Sequence, residues 1–357
     1  MPESVTTAQV ADWLNGLERR LSHLEDVVGP QQSSPDLNPQ TTGVIESDIR
    51  AAYRLLLGRE VDSEGLRTYL ARAEDGISHA DLVTELLSSD ERATLVAQDI
   101  VEIDIGGVTV CVDKSEREFG RAISRDGVWE AHIVAQIQRL LTPGSVFVDV
   151  GANIGVMSFH AAKAVSPNGK VIAFEPNPDN VQRFLQGVIA NKFDQLVRLI
   201  PLAASATSSV FAIKGGSNTY LAPAAAGMRL AASIPADDFL TSEARIDLIK
   251  IDIEGHEPLA LNGLSKTLDR HRPTILCEFN PRCLKIAGNT DAEGFAAQIF
   301  TFASSVEIIE HDHSLTAVDA PSTLTRLWAE RNAEHVERGD LPDGMVHFDL
   351  LIRFVAR

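Results

Sequence analysis

Acidic side chains and glycines lie close together at the end of one strongly apolar segment. The stretch VFVDVGANIGVMSF (146–159) carries Asp149 in its apolar part, followed by Gly151, Asn153 and Gly155. Glycines are required where a backbone turns tightly and lets a ligand approach it. We therefore predict a buried strand, a turn and a helix that bind a nucleotide-like cofactor. The alternative is a helix-capping turn that binds nothing.

A second acidic residue ends the next apolar segment. Glu175 stands in AFEPNP, twenty residues after Gly155. An acidic residue at the tip of the second strand of such a fold is placed to accept hydrogen bonds from both hydroxyls of a ribose. Glu175 is therefore the predicted ribose ligand.

The charges around the glycine turn distinguish two classes of cofactor. A dinucleotide site uses G-x-G-x-x-G, in which a helix N-terminus holds a pyrophosphate. Here Asn153 replaces the middle glycine, and Asp149 adds negative charge beside the turn. Both features disfavour a pyrophosphate and favour a cation. S-adenosylmethionine carries a sulfonium and an ammonium group and no phosphate, so we expect it rather than NAD, and an NAD-dependent oxidoreductase stays the alternative.

Three groups suited to proton transfer follow a third apolar segment. In KIDIEGHE (250–257), Asp252, Glu254 and His256 stand at i, i+2 and i+4, and they point the same way if the chain stays extended. We expect Asp252 to lie nearest the transferred methyl group and the acceptor. Glu254 and His256 are candidates for acceptor binding or proton transfer, since imidazole titrates near neutral pH. Two other interpretations stay open: a solvent-facing His256 at a helix N-terminus, and a divalent metal bound by D-x-E-x-H, although we expect no metal.

The elements that position these groups alternate between strand and helix from residue 100 onward. A hairpin is predicted over 100–112 around Gly106-Gly107, and a helix over 178–190 with Asn177 as N-cap. Near-continuous apolar runs predict parallel strands covered on both faces. The candidate strands are 145–150, 171–174, 197–202, 246–251 and 274–279. The pattern predicts a doubly wound α/β sheet, mostly parallel, with 306–318 and 347–354 as an antiparallel pair closing its edge.

Four motifs in this order resemble the FkbM-type family of S-adenosylmethionine-dependent methyltransferases. They are DVGANIG, FEPNP, IDLIKIDIEGHE (246–257) and ILCEF (275–279), and the similarity covers about residues 100–355. The resemblance implies a Rossmann-like fold in which Asp149, Gly151, Asn153 and Gly155 line the methionine and ribose portions of the cofactor. It implies that Glu175 binds the ribose, and it places the adenine near the end of the third strand, where Ser205 is the polar candidate.

Further acceptor contacts are expected at the same edge of the sheet. Trp129-Glu130 matches the family's aromatic–acidic pair ahead of the first motif, although packing explains a tryptophan equally well. Glu278 ends the fifth strand and is followed by Asn280, and both are candidate substrate contacts. His311 and His313 are expected in a hairpin turn, and His160 in the core.

The first 98 residues carry no chemistry of this kind. Apolar residues from Val10 to Val28 repeat at heptad spacing, so 1–29 is a predicted leader helix that either packs on its own chain or self-associates. Residues 30–43 form a proline-containing linker. Residues 44–98 form a small all-helical domain, and YRLLLGREVDSEGLRTYL (53–70) resembles the phycobilisome-linker-like helical domain. That resemblance implies docking or scaffolding.

Charge and composition limit the classes of partner. The 357 residues carry a formal net charge of −18, half of it within residues 1–98, which disfavours nucleic acid and anionic membranes as partners. No apolar stretch is long enough to span a membrane. Three widely spaced cysteines and the lack of a signal-peptide pattern indicate a cytoplasmic protein.

Together these features predict a methyltransferase that acts on a hydroxyl of a sugar or glycosylated product. An inactive methyltransferase-like binding or scaffold protein is the alternative. Homo-oligomerisation or a protein partner through residues 1–98 is open in either case.

Overall fold

The computed structural model describes residues 44–57, 59–77, 81–82, 85–86, 89–91, 100–113, 129–215, 219–223, 230–287 and 290–354. The chain divides into two compact units. The first comprises 1–101 with 113–115, and the second comprises 102–112 with 116–357. The predicted leader helix 1–29 and linker 30–43 lie outside the described residues.

The described part of the first unit includes the amphipathic helices α1 (Glu46–Leu57) and α2 (Ser63–Glu74). Asp62 caps α2, because its carboxylate accepts hydrogen bonds from the backbone amides of Glu64 and Gly65 at 3.1 and 2.8 Å. The apolar faces enclose a small core. Its buried members are Val44, Ile49, Ala52, Tyr53, Leu57, Val61, Ile77, Leu82 and Leu86.

Most of the predicted apolar positions of this unit contribute to that core. Leu66, Tyr69, Leu70 and Ala73 pack against it, as the spacing predicts. Ile45 does not, and 43% of it is exposed, because it precedes the first residue of α1 and is not on the helix face.

The second unit alternates strands and helices. Its strands, counted in chain order, are β1 (Ile100–Asp104), β2 (Thr109–Asp113), β3 (Val146–Val150), β4 (Lys170–Phe174), β5 (Val197–Ile200), β6 (Ala203–Ala204), β7 (Ser209–Gly215), β8 (Thr219–Pro223), β9 (Leu230–Ile234), β10 (Leu248–Ile251), β11 (Thr274–Phe279), β12 (Ala303–Ile309), β13 (Leu315–Val318) and β14 (Phe348–Phe354). Its helices are α3 (Ala131–Leu140), α4 (Val156–Val165), α5 (Pro178–Asn191), α6 (Asp237–Leu240), α7 (Glu257–Gly263), α8 (Ser265–His271), α9 (Pro281–Ile286), α10 (Ala292–Phe300) and α11 (Pro321–Arg338).

An eight-stranded sheet in the described part of the chain has the order β13-β12-β14-β11-β10-β3-β4-β5. The segment from β11 to β5 is parallel, and all residues of β3 and β10 are buried. This confirms the predicted doubly wound α/β fold. From β3 the chain continues to β4 on one side and reaches β10 on the other, so the strand order reverses at β3. Ligands of open α/β sheets bind at such a reversal, outside the carboxyl ends of the strands.

The antiparallel side of the sheet differs in one detail from the prediction. Strand β14 is antiparallel to both β11 and β12, and it is inserted between them rather than at the edge. Residues 306–318 contain the predicted hairpin turn, with β12 paired to β13 around His311 and His313. The outermost strand on this side is therefore β13.

A second sheet, not predicted from the sequence, connects β5 to β10. It has the order β6-β9-β7-β8, and the predicted strand 197–202 ends early because the chain passes into this sheet at Ala203. These strands contain small and polar residues, whose strand formation depends on cross-strand partners rather than on their own pattern.

Two local predictions are confirmed within the second unit. The hairpin of β1 and β2 turns at Gly106 and Gly107, both with positive φ. Helix α5 begins after Asn177, whose side chain accepts a hydrogen bond from the amide of Asp179. Across the described residues, no helix combines the length and the apolar character needed to cross a membrane.

Candidate active site

A cavity of about 970 Å³ opens at the carboxyl ends of the central strands. Most residues predicted for the site line it: Trp129, Glu130, Asp149, Gly151, Asn153, Glu175, Asp252, Glu254, Glu278 and Asn280. Gly155, Ser205 and His256 do not. Ten of the thirteen predicted residues therefore line the cavity, and the other three are not part of its lining.

Asp149 lies at the floor of this cavity, within β3, and is fully buried. Its Oδ2 accepts a hydrogen bond from the Ser158 hydroxyl at 2.6 Å, whereas its Oδ1 has no hydrogen-bond partner among the described residues. Burial raises the pKa of Asp149, and the charge of Lys250 only partly offsets that rise. A buried carboxylate oxygen with no partner is unfavourable, so the position suits a ligand that brings a donor or a positive charge.

The glycine turn packs directly on the chain that follows β10. Gly151 has φ +88°, and a Cβ there would lie 1.9 Å from the carbonyl oxygen of Asp252. Only glycine permits this approach. Asn153 also adopts the left-handed conformation, with φ 51°, which asparagine tolerates better than most residues. The turn thus places backbone atoms from two neighbouring strands around one end of the cavity.

Glu175, directly after β4, connects the same turn to the start of α5. Its Oε2 accepts a hydrogen bond from the backbone amide of Asn153 at 2.9 Å, and its Oε1 accepts one from that of Asn177 at 2.8 Å. Burial raises the pKa of Glu175 to about 7, against these hydrogen bonds. The carboxyl group is therefore fixed in place at the cavity wall and titrates close to neutral pH.

Sequence reasoning missed Lys250, which provides a buried positive charge in this part of the cavity. Its Nζ lies 2.7 Å from Asp252 Oδ2, and only 6% of its side chain is exposed. Burial alone would lower the pKa of Lys250, but the negative charges of Asp252, Glu130 and Asp149 raise it overall. Lys250 stays charged and balances these acids. The sequence feature that could have identified Lys250 is its position inside an otherwise apolar strand, LIKI.

The predicted row of Asp252, Glu254 and His256 is interrupted by a turn. Glu254 has φ 55° and Gly255 has φ 99°, so the chain reverses direction instead of staying extended. Glu257 holds this turn, because its Oε1 accepts hydrogen bonds from the amides of Ile253 and Gly255 at 3.0 and 3.1 Å. Asp252 and Glu254 consequently line the cavity and His256 does not.

His256 and Ser205 instead form a buried pair with each other. His256 Nε2 lies 2.9 Å from Ser205 Oγ, and the ring packs edge-on against Phe211. Burial lowers the pKa of His256 to about 4. The prediction that His256 transfers a proton, and that Ser205 contacts adenine, is not supported by this placement. At the predicted adenine position, Ala203 and Ala204 line the cavity.

Glu130 precedes α3 and has a left-handed backbone, with φ 43°. Three of the non-glycine residues with positive φ, namely Glu130, Asn153 and Glu254, line the cavity, and such strain is concentrated at functional sites. Burial raises the pKa of Glu130 to about 8, with Lys250 opposing it.

Two predicted acceptor contacts lie at the end of β11. Glu278 Oε1 accepts a hydrogen bond from the Asn280 amide at 3.3 Å, and its buried Oε2 has no partner among the described residues. Burial raises the pKa of Glu278 well above its ordinary value.

A group of histidines at the other end of the cavity was also missed as part of the site. We call His132, His311, His347 and Asp349 the histidine end, and Asp149, Glu175, Lys250 and Asp252 the acidic end. No motif marks the histidine end, since His132 starts a predicted helix and Asp349 lies in a predicted strand. His313 is exposed in the β12–β13 turn and His160 is buried in α4, as predicted. Where the structure describes the chain, no group of three ligand-type side chains could hold a metal ion.

A cavity at the strand-order reversal of a doubly wound sheet is the place where ligands of Rossmann-like folds bind. Residues 149–285 match the model of the methyltransferase FkbM domain. This part of the chain is therefore similar to FkbM methyltransferase domains.

The solved structures that the chain matches include several methyltransferases. Methyltransferase FkbM from Methylobacillus flagellatus KT has 15% identity and a TM-score of 0.38, and the match covers 85% of this chain but only 58% of that one. A SAM-dependent O-methyltransferase from Thermotoga maritima has 10% identity and a TM-score of 0.38 over 73% and 87% of the two chains. Precorrin-6y C5,15-methyltransferase from Geobacter metallireducens GS-15 has 13% identity and a TM-score of 0.32 over 63% and 87%. No curated protein matches the sequence.

Proposed function

We propose that this protein transfers a methyl group from S-adenosylmethionine to a hydroxyl of an acceptor, and that the acceptor is a sugar or a glycosylated product. The observation that carries the cofactor assignment is Asp149, a fully buried carboxylate with one oxygen unpaired, beside a turn that lacks the phosphate-binding pattern. A sulfonium or ammonium group fits that position, whereas a pyrophosphate is repelled by it.

The residues of the acidic end would contact different parts of the cofactor. Asp149 and the turn containing Gly151 and Asn153 would hold the amino-acid part. Glu175 would accept hydrogen bonds from the ribose hydroxyls. S-adenosylmethionine supplies an activated methyl group on a sulfonium when bound, and Asp252 would face that positive charge.

Asp252 is fixed in this role by Lys250. The lysine occupies one carboxylate oxygen, Oδ2, and holds the side chain at the cavity wall. Glu130, Trp129, Glu278 and Asn280 line the same cavity and are proposed to orient the acceptor. Alignment of acceptor and methyl donor is the main requirement for an in-line displacement.

The sugar acceptor is inferred from the family resemblance. The protein is proposed to act in the cytoplasm, in keeping with three free thiols at Cys111, Cys277 and Cys283. Residues 1–98 are proposed to bind a protein partner or a second copy of the chain.

Calorimetry with S-adenosylmethionine, S-adenosylhomocysteine and NAD tests the cofactor assignment on the full chain. We expect both sulfur nucleotides to bind and NAD not to bind. Binding of NAD alone supports an oxidoreductase, and no binding at millimolar ligand indicates a scaffold protein. Asp149→Asn should weaken binding, whereas Asp179→Asn at the start of α5 should not.

Methyl transfer to acceptors is tested with isotope-labelled S-adenosylmethionine and a panel of monosaccharides, nucleotide sugars and glycosides. Asp252→Asn keeps the shape of the side chain and removes its charge. We expect it to abolish turnover with any acceptor found while S-adenosylhomocysteine still binds. Undiminished turnover in this variant would show that Asp252 is not the residue nearest the reacting atoms.

A further inference from the structure

The histidine end contains a buried histidine–carboxylate pair that faces the cavity. His132 Nε2 lies 2.8 Å from Asp349 Oδ2, and 5% and 14% of the two side chains are exposed. His132 belongs to the first turn of α3 and Asp349 to β14, so the contact joins residues 217 positions apart. Both residues lie outside the part of the chain that matches the family model.

The strand register places this pair beside Asp252 and Glu278. Ile251 pairs with Cys277 across β10 and β11, so the next residues, Asp252 and Glu278, are neighbours at the strand ends. Glu278 in turn pairs with Asp349 of β14. Two inter-strand steps of about 4.8 Å put the backbones of Asp252 and Asp349 on the order of 10 Å apart. With Glu278 between them, Asp252 and Asp349 therefore lie at the same edge of the sheet, and both line the cavity.

The charge of Asp349 determines which nitrogen of His132 carries the proton. Burial alone would raise the pKa of Asp349, but the hydrogen bond from His132 and the charge of His347 lower it below its ordinary value. An ionised carboxylate only accepts hydrogen bonds. Nε2 of His132 therefore donates, and in the neutral ring Nδ1 carries the lone pair. Among the described residues, no hydrogen bond occupies Nδ1.

We propose that His132, oriented by Asp349, is the residue that accepts the proton of the acceptor hydroxyl. This inference rests on the proposed function, because it assumes that a hydroxyl is methylated in this cavity. His132 is the catalytic residue, and Asp349 is a positioning residue that fixes its tautomer. The exposed His311 and His347 border the entrance on the same side, and the His311 ring packs edge-on against His132 with centroids 4.6 Å apart.

The step balances without an additional reactant. A lone pair of the acceptor oxygen forms the new O–CH₃ bond while the S–CH₃ bond breaks, and that electron pair stays on sulfur as a thioether. The hydroxyl proton moves to Nδ1 of His132, which becomes an imidazolium stabilised by Asp349. Loss of that proton to water restores the neutral ring.

The carboxylates closer to the glycine turn are less suited to this proton. Asp252 is already paired with Lys250 at 2.7 Å. Glu254 accepts a hydrogen bond from Cys283 Sγ at 3.3 Å. His256, the histidine expected from the sequence, does not reach the cavity. His132 combines burial, an orienting carboxylate and a place in the cavity wall.

The tautomer of His132 can be measured without any acceptor. Nitrogen-15 NMR of the histidine-labelled full chain, with S-adenosylhomocysteine added, distinguishes protonated from unprotonated ring nitrogens, and His132→Gln assigns the signals. At pH 8 we expect a proton on Nε2 and none on Nδ1. Asp349→Asn should invert this, because the asparagine amide donates to Nε2. A protonated Nδ1 in the wild-type protein overturns the proposal.

A matched control is available in a second histidine–aspartate pair. His335 Nδ1 lies 2.9 Å from Asp340 Oδ1, with 31% and 49% of the side chains exposed. Asp340→Asn removes a hydrogen bond of nearly the same length but should leave the His132 signals unchanged. An equal change of the His132 tautomer in both aspartate variants also contradicts the proposal.

Turnover provides the second measurement once the labelled-methyl panel has yielded an acceptor. His132→Gln should reduce kcat roughly 10²–10⁴-fold, as expected for loss of a general base, while binding of S-adenosylhomocysteine is retained. Wild-type turnover in this variant refutes the role of His132 alone and leaves the proposed function intact. Failure of the wild-type chain to bind the sulfur nucleotides refutes the proposed function instead.

Discussion

The two ends of the cavity stabilise charge in opposite ways. The acidic end keeps several carboxyl groups inside the protein with Lys250 as their buried cation, and burial raises the pKa values of Asp149 and Glu175. The histidine end has exposed rings at the entrance and one buried pair, in which the pKa of Asp349 is lowered. Buried carboxylates with too little compensating positive charge favour the binding of a cation, whereas a hydrogen-bonded histidine–carboxylate pair is suited to proton transfer.

This difference indicates where the stability of the site resides. At the acidic end, Asp149 has one unpaired carboxylate oxygen that a bound cation would satisfy, so we expect folding and cofactor binding to be coupled there. At the histidine end, the groups are either exposed or already paired. We therefore expect substitutions of Asp149, Glu175 and Lys250 to affect folding and cofactor binding, and substitution of His132 to affect turnover.

The largest effect is expected from Lys250→Met. Removing the buried cation leaves Asp252, Asp149 and Glu130 without their common partner, which should destabilise the second unit by about 3–5 kcal/mol. Urea unfolding followed by tryptophan fluorescence measures this, because Trp129 and Trp328 lie in that unit. Asp252→Asn in the same chain should recover part of the loss.

The control for this prediction is Lys170→Met. Lys170 also pairs with a carboxylate, Glu243, at 2.8 Å, but 47% of its side chain is exposed. Its loss should cost less than that of Lys250, because water reaches the Lys170 end of the pair although only 9% of the Glu243 side chain is exposed. Equal effects of the two lysine substitutions would show that Lys250 contributes no more to stability than Lys170 does.

Gly151→Ala should have the next largest effect. The added Cβ overlaps the Asp252 carbonyl oxygen in a left-handed conformation, so we expect about 2–4 kcal/mol of destabilisation and weaker S-adenosylhomocysteine binding. Gly144→Ala is matched in conformation, with φ +87°, but has nothing within 4 Å of the new Cβ. It should lose only about 1–2 kcal/mol and keep its affinity for the cofactor product. Unfolding and calorimetry on both variants separate the cost of the left-handed backbone from the cost of the overlap with the Asp252 carbonyl oxygen.

A smaller effect is expected from pH on cofactor binding. The pKa of Glu175 is raised to about 7, and only its ionised form accepts two hydrogen bonds from a ribose. Binding then favours the deprotonated state, so affinity for S-adenosylhomocysteine should rise from pH 6 to pH 8 by up to roughly tenfold, about 1.4 kcal/mol. Glu175→Gln should bind more weakly and lose this component of the pH dependence. Affinity that falls with rising pH would contradict the assignment of Glu175.

The smallest effect on stability is expected from His311→Gln at the histidine end. His311 is exposed in the β12–β13 turn, and its main contact is the His132 ring. Its replacement should change the free energy of unfolding by less than about 0.5 kcal/mol. A loss comparable to that of Gly151→Ala would show that the histidine end also supports the fold.

The parts of the fold that could be predicted are those whose signal lies within one segment. The apolar runs of β3, β4, β10 and β11 and the amphipathic α5 follow from their own residues, because a buried parallel strand needs a continuous apolar stretch. The sheet of β6 to β9 could not be predicted in this way, since its strands contain small and polar residues and their formation depends on pairing with one another. The position of β14 between β11 and β12 likewise depends on pairing between distant segments.

The sequence by itself determined the acids of the acidic end, Asp149, Glu175 and Asp252, because they lie at the ends of predicted strands whose carboxyl ends must meet. Only the tertiary structure decided the direction of individual side chains. The turn at Glu254 and Gly255 takes His256 away from the cavity, and Lys250 enters it from inside a strand. Asp349 reaches His132 only because β14 is inserted between β11 and β12. Two residues so far apart in the chain leave no local sequence pattern that would predict their contact.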